Sequence, residues 1–333
     1  MKVLPRNTIL AGDARQRLSE LLAESVDCVI TSPPYFRLRN YAASGQLGQE
    51  RDVDEWVANL RAVFRELARV LKPHGSVWLN VGDSYSRHSS WGAPPKGLLA
   101  APERLLLALM ESGWRCRNKV VWVKPNPLPQ SAADRLSPTY EVIYFLVRRP
   151  AYYFDLDAIR VSHRSIDRPR RARPAEVDRT YVGGNIGLGQ LKSAGRVGHP
   201  NGKNPGDVWT LPTASYRNAH FATFPEALVE RPLLATCPER ICVQCDRPWR
   251  RPVRLLTVHT DEGSRTVRKV GKLERCDCFA PSRPGVVLDP FFGTGTVGAV
   301  AARHDRDWLG IELNPAYRKL AERRLACIDP EAA

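Results

Sequence analysis

Residues 289–296 read DPFFGTGT and directly follow the apolar run 286–288, VVL. The apolar run predicts a buried strand, and the glycine-rich residues after it predict a tight turn that leads into a helix from Thr296. Glycine at positions 293 and 295 lets the backbone adopt a positive φ and approach a ligand closely. The helix directs free N–H groups and its positive end at the same ligand. This segment, the glycine turn, therefore predicts a cofactor site in an α/β fold.

Residues 308–314, WLGIELN, supply the second strand of a βαβ unit that begins with 286–288. Glu312 falls at the carboxyl end of that strand, where a carboxylate can bind the two hydroxyls of a ribose. The alternative is an ordinary surface carboxylate. No Gly-Lys-Ser/Thr sequence follows the turn, so a phosphate-binding P-loop is excluded. The segment indicates a nucleoside cofactor.

A second polar turn follows an apolar run near the start of the chain. Residues 32–35, SPPY, come directly after the strand-like run 26–30, VDCVI. Consecutive prolines fix φ and stiffen this diproline turn. The Ser32 hydroxyl and the Pro33 carbonyl can accept hydrogen bonds from an amine, and Tyr35 offers a ring face for stacking. Because ligands bind at the carboxyl ends of strands in such sheets, we expect the diproline and glycine turns to meet on neighbouring strands.

Strand-like and helix-like segments alternate over the first 150 residues, which predicts an α/β sheet with mostly parallel strands. Predicted strands span 8–10, 26–30, 76–81, 120–123 and 142–147, and predicted helices span 15–23, 55–71, 102–112 and 225–235. Asp54 is the predicted N-cap of the second helix. Residues 160–206 are rich in Arg, Gly and Pro and predict an irregular segment, either a recognition element or a linker.

In this order, the diproline and glycine turns resemble the β class of amino-group DNA methyltransferases, with the catalytic segment first and the S-adenosylmethionine segment last. The resemblance covers most of 1–150 and 205–327. It implies a Rossmann-like S-adenosylmethionine-dependent methyltransferase sheet with circularly permuted motif order. It also implies direct methyl transfer to a base flipped out of the duplex, with no covalent enzyme intermediate. The catalytic residues that it implies are Ser32, Pro33, Pro34 and Tyr35.

The resemblance also assigns the cofactor residues. It implies that Asp289 lies near the methionine amino group, that the backbone of 291–295 surrounds the methionine part, and that Glu312 binds the ribose. Residues 220–225 resemble the segment beside the methionine end, and 9–13 resemble the segment near the adenine. Asp13 is equally suited to cap the helix that follows it. The full set is Asp13, Phe224, Asp289, Pro290, Phe291, Gly293, Gly295, Thr296 and Glu312.

The first residue of the diproline turn bears on the target base. Within this family, Ser-Pro-Pro-Tyr is the usual form in N4-cytosine enzymes, whereas Asp or Asn in place of Ser marks most N6-adenine enzymes. Ser32 therefore favours N4-cytosine, with N6-adenine as the alternative. No Pro-Cys dipeptide occurs in the chain, which argues against methylation of the ring carbon C5. Alternatives of another class are a non-catalytic DNA-binding protein on the same scaffold and a methyltransferase of RNA or protein.

The formal net charge is +15, and most of it lies in two segments. Residues 148–203 hold 12 Lys/Arg against 5 Asp/Glu, and residues 238–283 hold 11 against 6. Localised basic surface fits contact with a phosphate backbone, although solvated surface arginines are the simpler alternative. We predict a catalytic half at 1–149, a target-recognition insertion at 150–206, a return to the methyltransferase domain at 207–237, a Cys-rich insertion at 238–283 and a cofactor-binding half at 284–333.

Five of the eight cysteines cluster between 237 and 278. Two close pairs, Cys242 with Cys245 and Cys276 with Cys278, predict a structural zinc site with four thiolate ligands. Cys237 resembles the methyltransferase's own sequence and is left out of the ligand set. The alternatives are buried free cysteines or a redox pair.

Hydropathy and the N-terminal sequence bear on location and partners. No apolar stretch approaches the roughly 18–20 residues that span a bilayer, and the first residues carry no apolar core of signal-peptide length. We therefore expect a soluble cytoplasmic protein with no membrane partner. Expected partners are double-stranded DNA and a cognate restriction endonuclease, and the chain is expected to be a monomer or a homodimer.

Overall fold

The structure is a computed structural model that describes residues 4–41, 43–162, 201–213, 224–260 and 263–328, without the side chains of 253–269. Most of the predicted irregular segment at 160–206 lies outside the described residues. The described helices are α1 Ala14–Glu20, α2 Val53–Val70, α3 Ala101–Glu111, α4 Glu226–Thr236, α5 Thr296–Arg303 and α6 Pro315–Ala326. The described strands are β1 Thr8–Ala11, β2 Val26–Thr31, β3 Leu71–Val81, β4 Arg115–Val123, β5 Tyr140–Val147, β6 Val208–Thr210, β7 Ile241–Cys242, β8 Val253–Thr260, β9 Gly263–Val270, β10 Ser282–Arg283, β11 Val286–Asp289 and β12 Asp307–Glu312.

Within the described residues, eight strands form one sheet in the order β1-β12-β11-β2-β3-β5-β4-β6. The neighbours from β1 to β3 run parallel, β5 is antiparallel to both β3 and β4, and β6 is parallel to β4. The prediction of a mostly parallel α/β sheet is confirmed. Strands β2 and β11 are parallel neighbours, with Cys28 opposite Val287. The diproline and glycine turns therefore leave adjacent strands at the same edge of the sheet, as expected.

The sheet is covered on both faces, which explains why its central strands are continuous apolar runs. Every residue of β2 is buried. Successive β2 side chains alternate between two core clusters, because Val29 joins one while Cys28 and Ile30 join the other. Helices α1, α2 and α3 pack in the first cluster, and α4, α5 and α6 contribute to the second. Two buried layers hold the carboxyl ends of the strands in place.

Several predicted boundaries need correction. The N-cap of α2 is Asp52, not Asp54: Asp52 has an extended backbone and its Oδ1 accepts a hydrogen bond from the Glu55 N–H at 2.8 Å. Asp54 lies in the first helical turn and pairs with Arg104 at 3.0 Å. Helix α1 ends at Glu20 rather than at residue 23. Strand β3 begins earlier than predicted, at Leu71, because the residues 72–75 that were expected to end the helix are part of the strand. Strand β4 also begins earlier, at Arg115, since its first residues are mostly polar and exposed and precede the apolar run.

The chain forms two compact units. The first comprises Met1–Phe154, Gly206–Pro248 and Ala280–Ala333 and contains the eight-stranded sheet. The second comprises Asp155–Pro205 and Trp249–Phe279, and its described part contains the antiparallel hairpin of β8 and β9. None of the helices described is both long and apolar enough to cross a bilayer.

Candidate active site

A single hydrogen bond joins the two turns. The Thr31 hydroxyl, at the end of β2, donates to Asp289 Oδ1, at the end of β11, over 2.7 Å. Both residues are buried. Since Thr31 precedes the diproline turn and Asp289 begins the glycine turn, this bond holds the starting points of the two turns together.

Asp289 is a buried carboxylate with two neutral donors. Besides Thr31, the Phe291 N–H donates to its Oδ1 at 3.0 Å. Burial disfavours the charged form and raises the pKa of Asp289 to about 7, although both hydrogen bonds act in the opposite direction. Within the described ranges, no Lys, Arg or His side chain forms an ion pair with Asp289. A buried acceptor of this kind fits a cationic ligand group, such as the methionine ammonium that the resemblance implies.

The pH dependence of stability tests this account of Asp289. The native pKa of about 7 exceeds the ordinary value of 3.8, so the native state keeps a proton that the unfolded chain loses between these values. The contribution of Asp289 to the free energy of unfolding therefore falls as the pH rises from about 4 to 7, and it stays at its lowest value above pH 7. Asp289→Asn keeps the Oδ1 acceptor and removes the charge. We expect the ligand-free variant to melt above wild type at pH 8 by roughly 2–4 °C for each kcal/mol regained.

The control for this comparison is Asp305→Asn, which makes the same chemical change at an exposed position. It is expected to melt with wild type at both pH values. At pH 4 the gain of Asp289→Asn is expected to disappear, because the native carboxyl is then protonated. A melting-temperature difference that is independent of pH would show that burial of the charge is not the cause.

Glu312 lies at the end of β12 and is half-buried. Its Oε2 accepts a hydrogen bond from the Gly293 N–H and its Oε1 accepts one from the Asn314 N–H, each at 2.7 Å. Burial raises the pKa of Glu312, and the backbone donors lower it. The carboxylate is thus fixed between the glycine turn and the start of α6, not free at the surface. Its contact with a ribose stays a prediction.

The glycine turn has the backbone that its sequence predicts. Gly293 and Gly295 have φ values of 53° and 77°, in the left-handed region that favours glycine. A Cβ on Gly295 would also lie 3.0 Å from the Cβ of Ala321 in α6. The hydroxyl of Thr296, the first residue of α5, accepts a hydrogen bond from Arg324 at 2.9 Å. Pro290 is buried and Phe291 is half-buried. Side chains of α6 therefore contact the glycine turn and the first residue of α5.

Asp13 follows the carboxyl end of β1, and Phe224 directly precedes Pro225, the N-cap of α4. Asp13 caps α1, since its Oδ1 accepts a hydrogen bond from the Gln16 N–H at 3.0 Å. It also follows β1, whose last residue, Ala11, is opposite Glu312. Phe224 precedes α4 and packs against the second core cluster. The rest of the predicted segment, 220–223, lies outside the described residues, and both cofactor contacts stay predictions.

The diproline turn is held by side chains from other elements. The Pro34 carbonyl accepts a hydrogen bond from Trp56 Nε1 at 2.9 Å. In the described part of the chain, no donor is bonded to the Pro33 carbonyl. The Ser32 hydroxyl donates to Tyr35 Oη at 3.1 Å. A Cβ on Gly82 would lie 2.7 Å from the Tyr35 ring, so glycine leaves the space that this ring fills.

Three polar residues beside this turn were not predicted from the sequence. Tyr35 Oη donates to Glu141 Oε2 at 2.7 Å, and Asn80 Nδ2 donates to both of those oxygens at 2.7 and 2.9 Å. Lys124 pairs with the other oxygen of Glu141. Burial, followed by the charge of Glu141, raises the pKa of Tyr35 well above its ordinary value. The available signal was a polar residue in or beside an apolar run: Asn80 interrupts the run 77–81, and Glu141 directly precedes the run 142–147.

The predicted zinc ligands come together. The sulfur atoms of Cys242, Cys245, Cys276 and Cys278 all lie within 4.8 Å of one another. Tetrahedral zinc with sulfur ligands at about 2.3 Å requires sulfur–sulfur separations of roughly 3.8 Å. The four residues therefore fit one structural zinc ion with only small movements. Cys237 is buried in the second core cluster, which agrees with its exclusion.

Comparison with known proteins identifies similar chains. The profile of the DNA methylase family matches residues 26–323. The type II methyltransferase M.SmaI of Serratia marcescens is 32% identical over 95% of this chain and 90% of its own. In fold, the chain is similar to the PvuII DNA methyltransferase (cytosine-N4-specific), with a TM-score of 0.59 and 17% identity over 97% of this chain and 87% of that one. It is also similar to a putative DNA modification methylase of Thermus thermophilus in complex with S-adenosyl-L-methionine, with a TM-score of 0.55 and 21% identity over 97% and 96%.

Proposed function

The chain belongs to the N6/N4 class of DNA methylases, which use S-adenosylmethionine, and from this premise we propose that it methylates the exocyclic N4 of cytosine in double-stranded DNA. The target cytosine flips out of the duplex, because its amine is otherwise engaged in base pairing. Transfer would be direct: the bond from the methyl group to sulfur would break as the bond to nitrogen forms, and the nitrogen would give up one N–H proton to solvent.

The proposed chemistry follows from the two joined turns. S-adenosylmethionine, when bound, supplies an electrophilic methyl group. Asp289 offers a buried carboxylate to its ammonium group, and Glu312 offers a second carboxylate to its ribose. An exocyclic amine is a poor nucleophile because its lone pair is delocalised into the ring, and its nitrogen gains positive charge during transfer. The Ser32 hydroxyl and the Pro33 carbonyl accept hydrogen bonds from its N–H groups and stabilise that charge.

The observation that carries the proposal is the 2.7 Å bond between Thr31 and Asp289. It ties the turn proposed for the amine to the turn proposed for the cofactor, so both ligands meet at one edge of the sheet. The assignment to cytosine is supported by Ser32 as the first residue of the diproline turn. The PvuII enzyme shows that this fold accommodates N4 chemistry.

The test is the identity of the modified nucleoside. Duplex DNA that contains many sequences is incubated with the protein and labelled S-adenosylmethionine, then digested to nucleosides and analysed by liquid chromatography and mass spectrometry. We expect N4-methyldeoxycytidine, separated by retention time from 5-methyldeoxycytidine, which has the same mass. N6-methyldeoxyadenosine alone would reject the cytosine assignment. Failure to transfer label, while a known methyltransferase succeeds in parallel, would favour a non-catalytic DNA-binding protein.

Basic segments outside the sheet suit the DNA partner. We propose that the insertions 150–206 and 238–283 contact the phosphate backbone and contribute to recognition of the target sequence. The relatives named as type II methyltransferases support a further proposal, that a cognate restriction endonuclease recognises the same sequence.

A further inference from the structure

A chain of hydrogen bonds runs from the diproline turn to a partly buried ion pair. Ser32 Oγ donates to Tyr35 Oη at 3.1 Å, and Tyr35 Oη donates to Glu141 Oε2 at 2.7 Å. Lys124 pairs with Glu141 Oε1, and the two side chains are only 18% and 16% exposed. We propose that Glu141 is a positioning residue that, through Tyr35, fixes Ser32 as a hydrogen-bond acceptor for the target amine.

The count of protons sets the direction of this chain. A serine or tyrosine hydroxyl carries one proton, whereas an ionised carboxylate can only accept. Glu141 accepts a hydrogen bond from the Tyr35 hydroxyl, so Tyr35 Oη can only accept the hydrogen bond from Ser32. The Ser32 oxygen then has lone pairs to offer and no proton to donate. An amine N–H requires this arrangement, because a hydroxyl pointing at the amine would oppose the positive charge that develops there.

Neighbouring charges and donors reinforce the same direction. Lys124 pairs with Glu141 Oε1, which leaves Glu141 Oε2 to accept the hydrogen bond of Tyr35. Asn80 Nδ2 donates to Tyr35 Oη at 2.7 Å and to Glu141 Oε2 at 2.9 Å, and it lies 3.4 Å from Ser32 Oγ. Each of these contacts presents an N–H to an oxygen. Because hydrogen bonds in a chain polarise one another, donation by Ser32 to Tyr35 and by Tyr35 to Glu141 raises the electron density on the Ser32 oxygen.

The residues that bind Tyr35 and Glu141 belong to the sheet, not to the diproline turn. Asn80 belongs to β3, Glu141 to β5, and Lys124 directly follows β4, which are three neighbouring strands. Glu141 is opposite Trp122 in the register of β4 and β5. Residues on or next to rigid strands therefore fix the position of the Tyr35 hydroxyl, and its hydrogen bond with Ser32 fixes the Ser32 side chain within the same turn. The inference rests on the proposed role of Ser32, not on which base is methylated.

The test is a double-mutant cycle on methyl transfer. The variants Glu141→Gln, Tyr35→Phe and the double variant are compared with wild type by single-turnover transfer of labelled methyl groups to DNA. We expect Glu141→Gln to lower the rate about 10- to 100-fold, with cofactor and DNA dissociation constants within about twofold of wild type. Because Glu141 acts through Tyr35, the double variant should be no slower than the slower single variant.

A matched control is available on the same domain. Glu103 also accepts hydrogen bonds from a lysine and a tyrosine, Lys119 at 2.7 Å and Tyr144 at 3.5 Å, but it belongs to α3, and within the described residues it has no hydrogen bond to the diproline turn. Glu103→Gln should keep the wild-type rate. Folding of every variant is checked by thermal melting and by cofactor binding, which a merely unfolded protein would lose.

Two results would overturn the inference. One is a folded Glu141→Gln protein whose rate is within twofold of wild type. The other is a double variant whose loss equals the product of the single losses, since that would mean that Glu141 and Tyr35 act independently. The assay counts methyl groups on any base, so a wrong assignment to cytosine leaves it interpretable. Absence of transfer by wild type itself would instead contradict the proposed function.

Discussion

Replacing Ser32 with alanine is expected to lower the single-turnover rate of methyl transfer about 100- to 1000-fold, the usual loss when one group that stabilises transition-state charge is removed. The Ser32 oxygen is proposed to accept a hydrogen bond that strengthens as the amine nitrogen becomes positive. The ground state gains little from it, so DNA and cofactor dissociation constants should stay within about twofold of wild type. Rapid-quench transfer assays and equilibrium binding measure the two effects separately.

Two further variants serve as controls for this prediction. Ser25→Ala removes a serine hydroxyl that donates to the Leu22 carbonyl just before β2, and it should keep the wild-type rate. Ser32→Thr retains the hydroxyl and should recover part of the activity. Equal losses in rate and in DNA affinity for Ser32→Ala would assign the serine to binding, and its proposed role in the chemical step would be withdrawn.

The second large effect is expected at Glu312. Its carboxylate holds the Gly293 and Asn314 N–H groups at 2.7 Å and is proposed to bind the ribose hydroxyls. A hydrogen bond to a charged group contributes about 1.5–3 kcal/mol, so a net loss of one such bond in Glu312→Ala should raise the cofactor dissociation constant about 10- to 100-fold. Isothermal titration calorimetry with S-adenosylmethionine measures it without any need for catalysis.

Glu322→Ala is the control for this measurement. Glu322 lies on α6 and pairs with Arg318 at 3.4 Å, so its loss also removes a carboxylate from the cofactor-binding half. It should leave the cofactor dissociation constant unchanged. If Glu312→Ala behaves in the same way in folded protein, Glu312 lies outside the cofactor site and only supports the glycine turn.

The sequence was sufficient for the central part of the sheet and for both turns. Strands β2 and β11 are apolar runs that end in distinctive turns, and the helix that follows each of them favours a parallel sheet. Their adjacency was an expectation from ligand chemistry alone, and the pairing of Cys28 with Val287 confirms it. The clustering of the four cysteines was also predictable, because the spacing of paired cysteines is itself a local signal.

The network beneath Tyr35 was not predictable in the same way. Asn80, Lys124 and Glu141 are far apart in the chain, and they meet only because β5 pairs antiparallel with both β3 and β4. A shift of one residue in either register would turn Glu141 to the other face of the sheet. The N-cap of α2 was predicted at Asp54 and lies at Asp52, because the two residues are of the same type and only the backbone geometry decides between them.

The order of the strands has a consequence for biosynthesis. Strand β2 is made early but takes its second neighbour, β11, only after residues 286–289 have been translated, and β1 pairs with β12 across nearly the whole length of the polypeptide. Until then, β2 is an edge strand whose residues, all buried in the folded protein, lack their neighbour β11. Exposed edge strands of this kind tend to pair with other chains. Such long sequence separations slow folding. We expect the nascent polypeptide to depend on chaperones until its last βαβ unit emerges from the ribosome.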